Sequence, residues 1–233
     1  MRPLRIAVLA SGGGSNLQAL IDHAAGASGP SWGVVLVISD RPGAGALERA
    51  ARHGLVREVV VAGAGQDPMA VEARLLALFE RHEIDLVLLA GYLRLVPPAV
   101  VARYSGRILN IHPALLPAFG GKGMYGMHVH RAVLESGARL TGVTVHVVDD
   151  VYDRGRIVAQ WPVPVKTGDT PEALAARVLG VEHALYPRVV DHVARALAAK
   201  LDVDPLDEPG EVFRLGEAPA EWAGHPHATE ETR

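Results

Sequence analysis

Five short runs rich in Val, Ile, Leu and Ala punctuate the first half of the chain, and they constrain its fold more than any other feature. They are Arg5 to Ala10, Gly33 to Ser39, Val56 to Val61, Leu86 to Ala90 and Arg107 to Ile111. They are dominated by apolar residues rather than alternating, as strands covered on both faces by helices should be. Helical patterns separate them at Ser15 to Ala25, Ala44 to His53, Met69 to His82 and Pro98 to Tyr104. This alternation predicts an α/β fold built on a doubly wound, mostly parallel sheet.

After residue 140 the character changes. Thr144-Val145-His146-Val147 alternates, and no helix-length segment separates the run Gly142 to Val148 from Arg156 to Val163. Two antiparallel strands are expected in this C-terminal half. Thr170-Pro171-Glu172 then reads as an N-cap with proline at the first helical position. It opens a long helix reaching about residue 199, with a kink or break expected at Tyr186-Pro187. Residues 1–200 are read as one domain and 201–233 as a tail whose end, His225 to Arg233, is expected to be disordered.

With 233 residues, 49% of them apolar, the chain can bury a large core without a staple. Its 23 basic and 26 acidic residues give a net charge of −3, which offers no footprint for nucleic acid or a membrane surface. The absence of cysteine excludes disulfides, thiolate zinc sites and a cysteine nucleophile, and fits a cytoplasmic setting. The eleven histidines show no metal-ligand spacing, so no metal is expected; His128-Val129-His130 reads instead as a helix entrance.

Three constellations could carry chemistry. The first strand ends in Ser11-Gly12-Gly13-Gly14-Ser15-Asn16 and a helix begins at once. Glycines let the backbone turn tightly there, and free N–H groups at the helix start attract an anion such as phosphate. A plain strand-to-helix turn is the bland alternative. Neither a dinucleotide fingerprint nor a Walker loop fits, because Leu17 stands where a third glycine would fall and no Gly-Lys-Ser/Thr follows.

The second is Asn110-Ile111-His112-Pro113, at the end of a strand. Side chains two apart share one face, so an amide donor and an imidazole project together toward a ligand. The third is the polar turn Asp149-Asp150-Val151-Tyr152-Asp153-Arg154-Gly155. An aspartate folded against His112 would favour the imidazolium and raise the histidine pKa. Spacing does not choose among the three carboxylates.

In this order the three pieces resemble the phosphoribosylglycinamide formyltransferase family, over roughly residues 4 to 200. Ser11-Gly12-Gly13-Gly14-Ser15-Asn16-Leu17-Gln18 is similar to its phosphate loop, and Ala90-Gly91-Tyr92-Leu93-Arg94 to its folate-side loop. Asn110-Ile111-His112-Pro113-Ala114-Leu115-Leu116-Pro117 is similar to its catalytic signature, and Asp153-Arg154-Gly155 to the segment that completes the site. The resemblance implies Asn110, His112 and Asp153 as the catalytic set. It implies Gly14, Ser15 and Asn16 as holders of the ribose phosphate and Glu182 as a ribose contact, where unaided reading would make Glu182 an exposed helix carboxylate. Leu93, Arg94, Leu95 and Val96 would line the pterin pocket, with Asn110 beside them and Asp150 to Gly155 closing over it.

The resemblance further implies 10-formyltetrahydrofolate as co-substrate and phosphoribosylglycinamide as acceptor, in a monomer or homodimer. Residues 1–105 would form the phosphate-binding half and 106–200 the catalytic and folate-binding half. Two departures stand out. The loop from Ala118 to Met127 is longer than in the shortest members and carries Lys122, and Pro68 stands where some members have a folate-tail arginine. Formyltetrahydrofolate deformylase, methionyl-tRNA formyltransferase and sugar-nucleotide formyltransferases share the Asn, His and Asp logic. The deformylase would add a domain before the first strand, and the tRNA enzyme a basic domain after the last helix. A phosphosugar-binding module without catalysis would need the glycine loop but not the three catalytic residues together.

Overall fold

The computed structural model describes residues 2–26, 31–63 and 65–201, so the expected disorder of the tail lies outside the described residues. One sheet contains β1 (Leu4–Leu9), β2 (Trp32–Ser39), β3 (Val56–Val59), β4 (Leu86–Leu89), β5 (Ile108–His112), β6 (Leu140–Val147) and β7 (Ile157–Pro164). Their spatial order is β3-β2-β1-β4-β5-β6-β7. The first five run parallel, while β6 pairs antiparallel with β5 and β7 antiparallel with β6. The mostly parallel sheet with late antiparallel strands is therefore the one the sequence predicts.

Among the described residues six helices cover this sheet: α1 (Ser15–Gly26), α2 (Gly45–Arg52), α3 (Pro68–Arg81), α4 (Pro98–Arg103), α5 (Met127–Glu135) and α6 (Pro171–Ala198). Side-chain alternation along the strands divides the core in two. Ile6 and Val8 face Leu17 and Leu20 of α1, Val129 and Val133 of α5 and Val189 of α6. Ala7 and Leu9 face Leu75, Leu78 and Phe79 of α3 and Val100 of α4. Each large apolar side chain buried this way contributes about 1.5 to 3 kcal/mol relative to exposure.

Two expectations need correction. The third strand is not covered on both faces, since Val56 and Val59 are 41% and 39% exposed. Among the described residues it stands at the sheet edge with β2 as its sole strand neighbour, a position that composition does not encode. Nor does Tyr186-Pro187 break the last helix, which runs through Pro187 as a single 28-residue element. Tyr186 is fully buried, and its hydroxyl is shared between the carbonyls of Leu89 at 3.1 Å and Leu109 at 3.0 Å. With Leu185, Val189 and Val190 buried alongside, tertiary packing carries the helix past the missing N–H. The expected start is found, with Thr170 Oγ1 accepting from Ala173 N–H at 3.2 Å.

Candidate active site

The chain turns to opposite sides of the sheet after β1 and β4, so their carboxyl ends flank a crevice of the kind that binds ligands in open α/β sheets. The two loops that leave these strands are tied together. Ser11 N–H donates to the Gly91 carbonyl at 3.0 Å, and Leu93 N–H donates to Ser11 Oγ at 2.9 Å. Beside them opens a cavity of about 520 Å³, lined by Leu93, Arg94, Leu95 and Val96 as expected, and by Asn110, His112 and Asp153. Its volume lies in the range of small-molecule sites.

The glycine loop reaches this cavity through Asn16. Gly14 takes a φ of +75°, and a Cβ there would stand 2.7 Å from Ala46 Cα, so both backbone shape and space require glycine. The first ladder bond runs from Gln18 N–H to the Gly14 carbonyl at 3.0 Å. The N–H groups of Ser15, Asn16 and Leu17 therefore precede the ladder at the positive end of α1. Gly14 and Ser15 stand outside the cavity lining, next to Asn16. Arg49, which sequence reading did not single out, braces the loop by donating from Nε to the Gly13 carbonyl at 2.8 Å.

Asn110 and His112 project from β5 into the cavity, as their spacing predicts. Asp153 arrives from the turn between β6 and β7, where its φ of +55° is unusual for a residue with a side chain. His112 Nδ1 lies 3.6 Å from Asp153 Oδ2, and Asn110 Nδ2 lies 3.5 Å from Asp153 Oδ1. The structure thus brings the three residues together.

It also adds a fourth. Register pairs Asn110 with His146 of β6, placing the imidazole Nε2 3.1 Å from Asn110 Nδ2 and 3.6 Å from Asp153 Oδ1. His146 Nδ1 lies 2.9 Å from the Val147 carbonyl, so its Nε2 is turned toward both the Asn110 amide and the Asp153 carboxylate. The amide nitrogen of Asn110 is thereby fixed toward the acidic side of the site.

Burial sets the electrostatics. His112 is 3% exposed, and burial lowers its pKa from the ordinary histidine value; Asp153 and the Phe119 carbonyl oppose this and are outweighed. Asp153 does act to raise this pKa, as expected, but the net shift is downward, because the ring is desolvated and its Nδ1 is not hydrogen-bonded to the carboxylate. For Asp153, burial pushes the pKa up, but the imidazoles of His146 and His112 and the Gly121 N–H prevail and hold it below the usual carboxylate range. Both shifts favour a neutral imidazole beside an ionised carboxylate.

Glu182 is not an exposed helix carboxylate. It is 8% exposed, lines the cavity, and accepts from Asn16 Nδ2 at 2.6 Å. Burial raises its pKa to about 7, against the lowering effect of Asn16. Asp149, Val151, Tyr152 and Asp153 line the cavity, whereas Asp150 is exposed and stands outside the lining. Lys122 is exposed at the cavity rim. Pro68 opens α3 behind the Asp67 cap, whose Oδ1 accepts from Met69 N–H at 3.0 Å. Among the described residues, no three His, Asp or Glu side chains are arranged to hold a metal ion, and no helix is long and apolar enough to cross a membrane.

The family model described as "Formyl transferase" matches residues 4–190. The chain is 47% identical over 191 residues to the chloroplastic phosphoribosylglycinamide formyltransferase of Arabidopsis thaliana, covering 81% of this chain and 65% of that one. It is 40% identical to the phosphoribosylglycinamide formyltransferase of Escherichia coli (strain K12), covering 82% of this chain and 87% of the relative. The crystal structure of the Brucella melitensis phosphoribosylglycinamide formyltransferase superposes with a TM-score of 0.75 at 44% identity, over 83% of this chain and 96% of that one. The chain spans just under two thirds of the plant relative's length and most of the bacterial ones. This chain belongs to the formyl transferase family and, within it, to the phosphoribosylglycinamide formyltransferases.

Proposed function

We propose that the protein transfers the formyl group of 10-formyltetrahydrofolate to the amine of phosphoribosylglycinamide, a step of de novo purine biosynthesis. The observation that carries this reading is the convergence of Asn110, His112 and Asp153 on one cavity wall, with Asn16 and Glu182 on the same cavity. Gly14, Ser15 and Asn16 would hold the substrate phosphate at the start of α1, where unpaired N–H groups and the helix dipole favour an anion. Glu182 would accept from a ribose hydroxyl. Leu93 to Val96 would flank the pterin, and the turn from Asp150 to Gly155 would close over it. The Asp150 side chain faces solvent, so its part in this closure rests with its backbone.

The chemistry follows from the resting charges. The glycinamide amine attacks the formyl carbon, a C–N bond forms, and the carbonyl electron pair moves onto oxygen. The amide N–H of Asn110 meets that oxygen. Neutral His112 takes a proton from the attacking nitrogen at Nδ1, and Asp153, 3.6 Å away, stabilises the imidazolium as it forms. The bond from the formyl carbon to N10 then breaks, and His112 returns the proton to N10, giving tetrahydrofolate and the formylated glycinamide ribonucleotide. The folate acts as co-substrate and no step calls for a metal. Small-molecule partners, a cytoplasmic location, a single domain over residues 1–200 and a monomeric or homodimeric state belong to the same reading.

The test offers purified protein 10-formyltetrahydrofolate with phosphoribosylglycinamide, with a sugar-nucleotide amine, or with water alone. Folate release that depends on phosphoribosylglycinamide is expected. Equal release with water alone, or release confined to the sugar nucleotide, contradicts the reading.

A further inference from the structure

The loop from Phe119 to Met127 walls the cavity through Gly121, Lys122, Met124 and Tyr125, and its first three residues hold both halves of the catalytic dyad by their backbone. His112 Nε2 lies 2.8 Å from the Phe119 carbonyl oxygen, and Gly121 N–H donates to Asp153 Oδ2 at 2.8 Å. A carbonyl only accepts, so Nε2 must carry the ring proton. Nδ1, at 3.6 Å from the carboxylate, is too far for a hydrogen bond and keeps its lone pair.

The backbone is held in sparsely populated conformations at this point. Phe119 has a φ of +55° and Gly121 of +94°, and the aspartate they face is itself at +55°. Non-glycine residues are strained in this region and persist where the surroundings over-determine them. Gly120, between the two contacts, has no room for a side chain. A Cβ there would overlap Leu116 Cδ2 and stand 3.2 Å from Asp153 Cβ.

We propose that Phe119-Gly120-Gly121 is a positioning clasp: the Phe119 carbonyl selects the Nε2–H tautomer of His112, leaving Nδ1 as the working nitrogen, while Gly121 N–H orients Asp153 toward it. The bare backbone of Gly120 is what lets one loop reach both partners. This inference deepens the formyl-transfer reading and rests on it for the meaning of a working nitrogen.

The deciding measurement is NMR on the full chain without substrate, so it is separate from transfer activity. Nitrogen-15 NMR of the imidazoles at neutral pH should show His112 protonated at Nε2 and bare at Nδ1. In Gly120→Ala, the His112 pKa should fall, because the Phe119 acceptor that favours the imidazolium is displaced. Its kcat should fall by about tenfold or more with the KM for phosphoribosylglycinamide within about twofold. An Nδ1–H tautomer in the unaltered protein overturns the proposal, as does unchanged His112 titration in a folded Gly120→Ala protein. If that variant does not fold, the tautomer of the unaltered protein decides alone. Loss of transfer by the unaltered protein would instead count against the formyl-transfer reading and leave the tautomer result standing.

Discussion

The carboxylate of Asp153 stands 3.6 Å from Nδ1 of His112, close enough to stabilise a proton that arrives there and too far to bind that nitrogen beforehand. Resting neutrality and stabilisation during turnover therefore come from one geometry: burial keeps the ring uncharged, and the aspartate acts once charge appears.

Asp153→Asn should remove the charge that opposes the burial of His112, so the His112 pKa falls further below its ordinary value. Since the neutral ring is the working form, the acid limb of the kcat profile should move to lower pH while kcat itself drops by about a hundredfold. Steady-state kinetics across pH check this. An unmoved limb would transfer the role to another group.

Asn110→Ala should fold normally and lose turnover by about a hundredfold or more, the cost of one oxyanion donor at about 3 to 4 kcal/mol. Stopped-flow folate absorbance gives the rate, and circular dichroism gives the fold. Near-wild-type turnover would remove Asn110 from the reacting atoms.

Glu182→Gln should stabilise the fold at alkaline pH and weaken substrate binding. The folded pKa of Glu182 is raised from 4.5 to about 7 by burial. The unfolded chain thus releases this proton first as pH rises, and native stability falls between those two values by on the order of 3 kcal/mol at most. Gln carries no such cost. Denaturant midpoints at pH 5 and pH 8 should differ less in the variant than in the unaltered protein; an equal difference would contradict the buried carboxylate.

Tyr186→Phe should lower stability by about 1 to 3 kcal/mol, because the carbonyls of Leu89 and Leu109 lose their shared hydroxyl donor in a dry setting. Those carbonyls end β4 and lie within β5 next to Asn110, so kcat should decline too. Urea unfolding and kinetics of the same preparation measure both effects.

The sequence discloses these parts unequally, for physical reasons. The parallel strands announce themselves as runs dominated by apolar residues, because burial on both faces leaves few polar positions. Strand order leaves no such mark, so Val56 and Val59 look like core and turn out to lie on an edge. Asn110 and His112 are legible as a pair because one strand spaces them. His146 belongs to a strand that the sequence does predict, but only the register of two antiparallel strands sets it opposite Asn110. Asp153 cannot be chosen over Asp149 or Asp150 from composition, since what turns it inward is the backbone conformation of its loop. The hold of Phe119 and Gly121 on the dyad is made by peptide groups, which every residue has, so no side-chain pattern reports it.

A crystal structure with an unreactive 10-formyl folate analogue and phosphoribosylglycinamide tests the placement of the chemistry most directly. The formyl oxygen should lie within hydrogen-bond reach, about 3 Å, of the Asn110 amide nitrogen, with the substrate amine between the formyl carbon and His112 Nδ1. A formyl group turned away from Asn110, or an amine out of reach of His112, would contradict it.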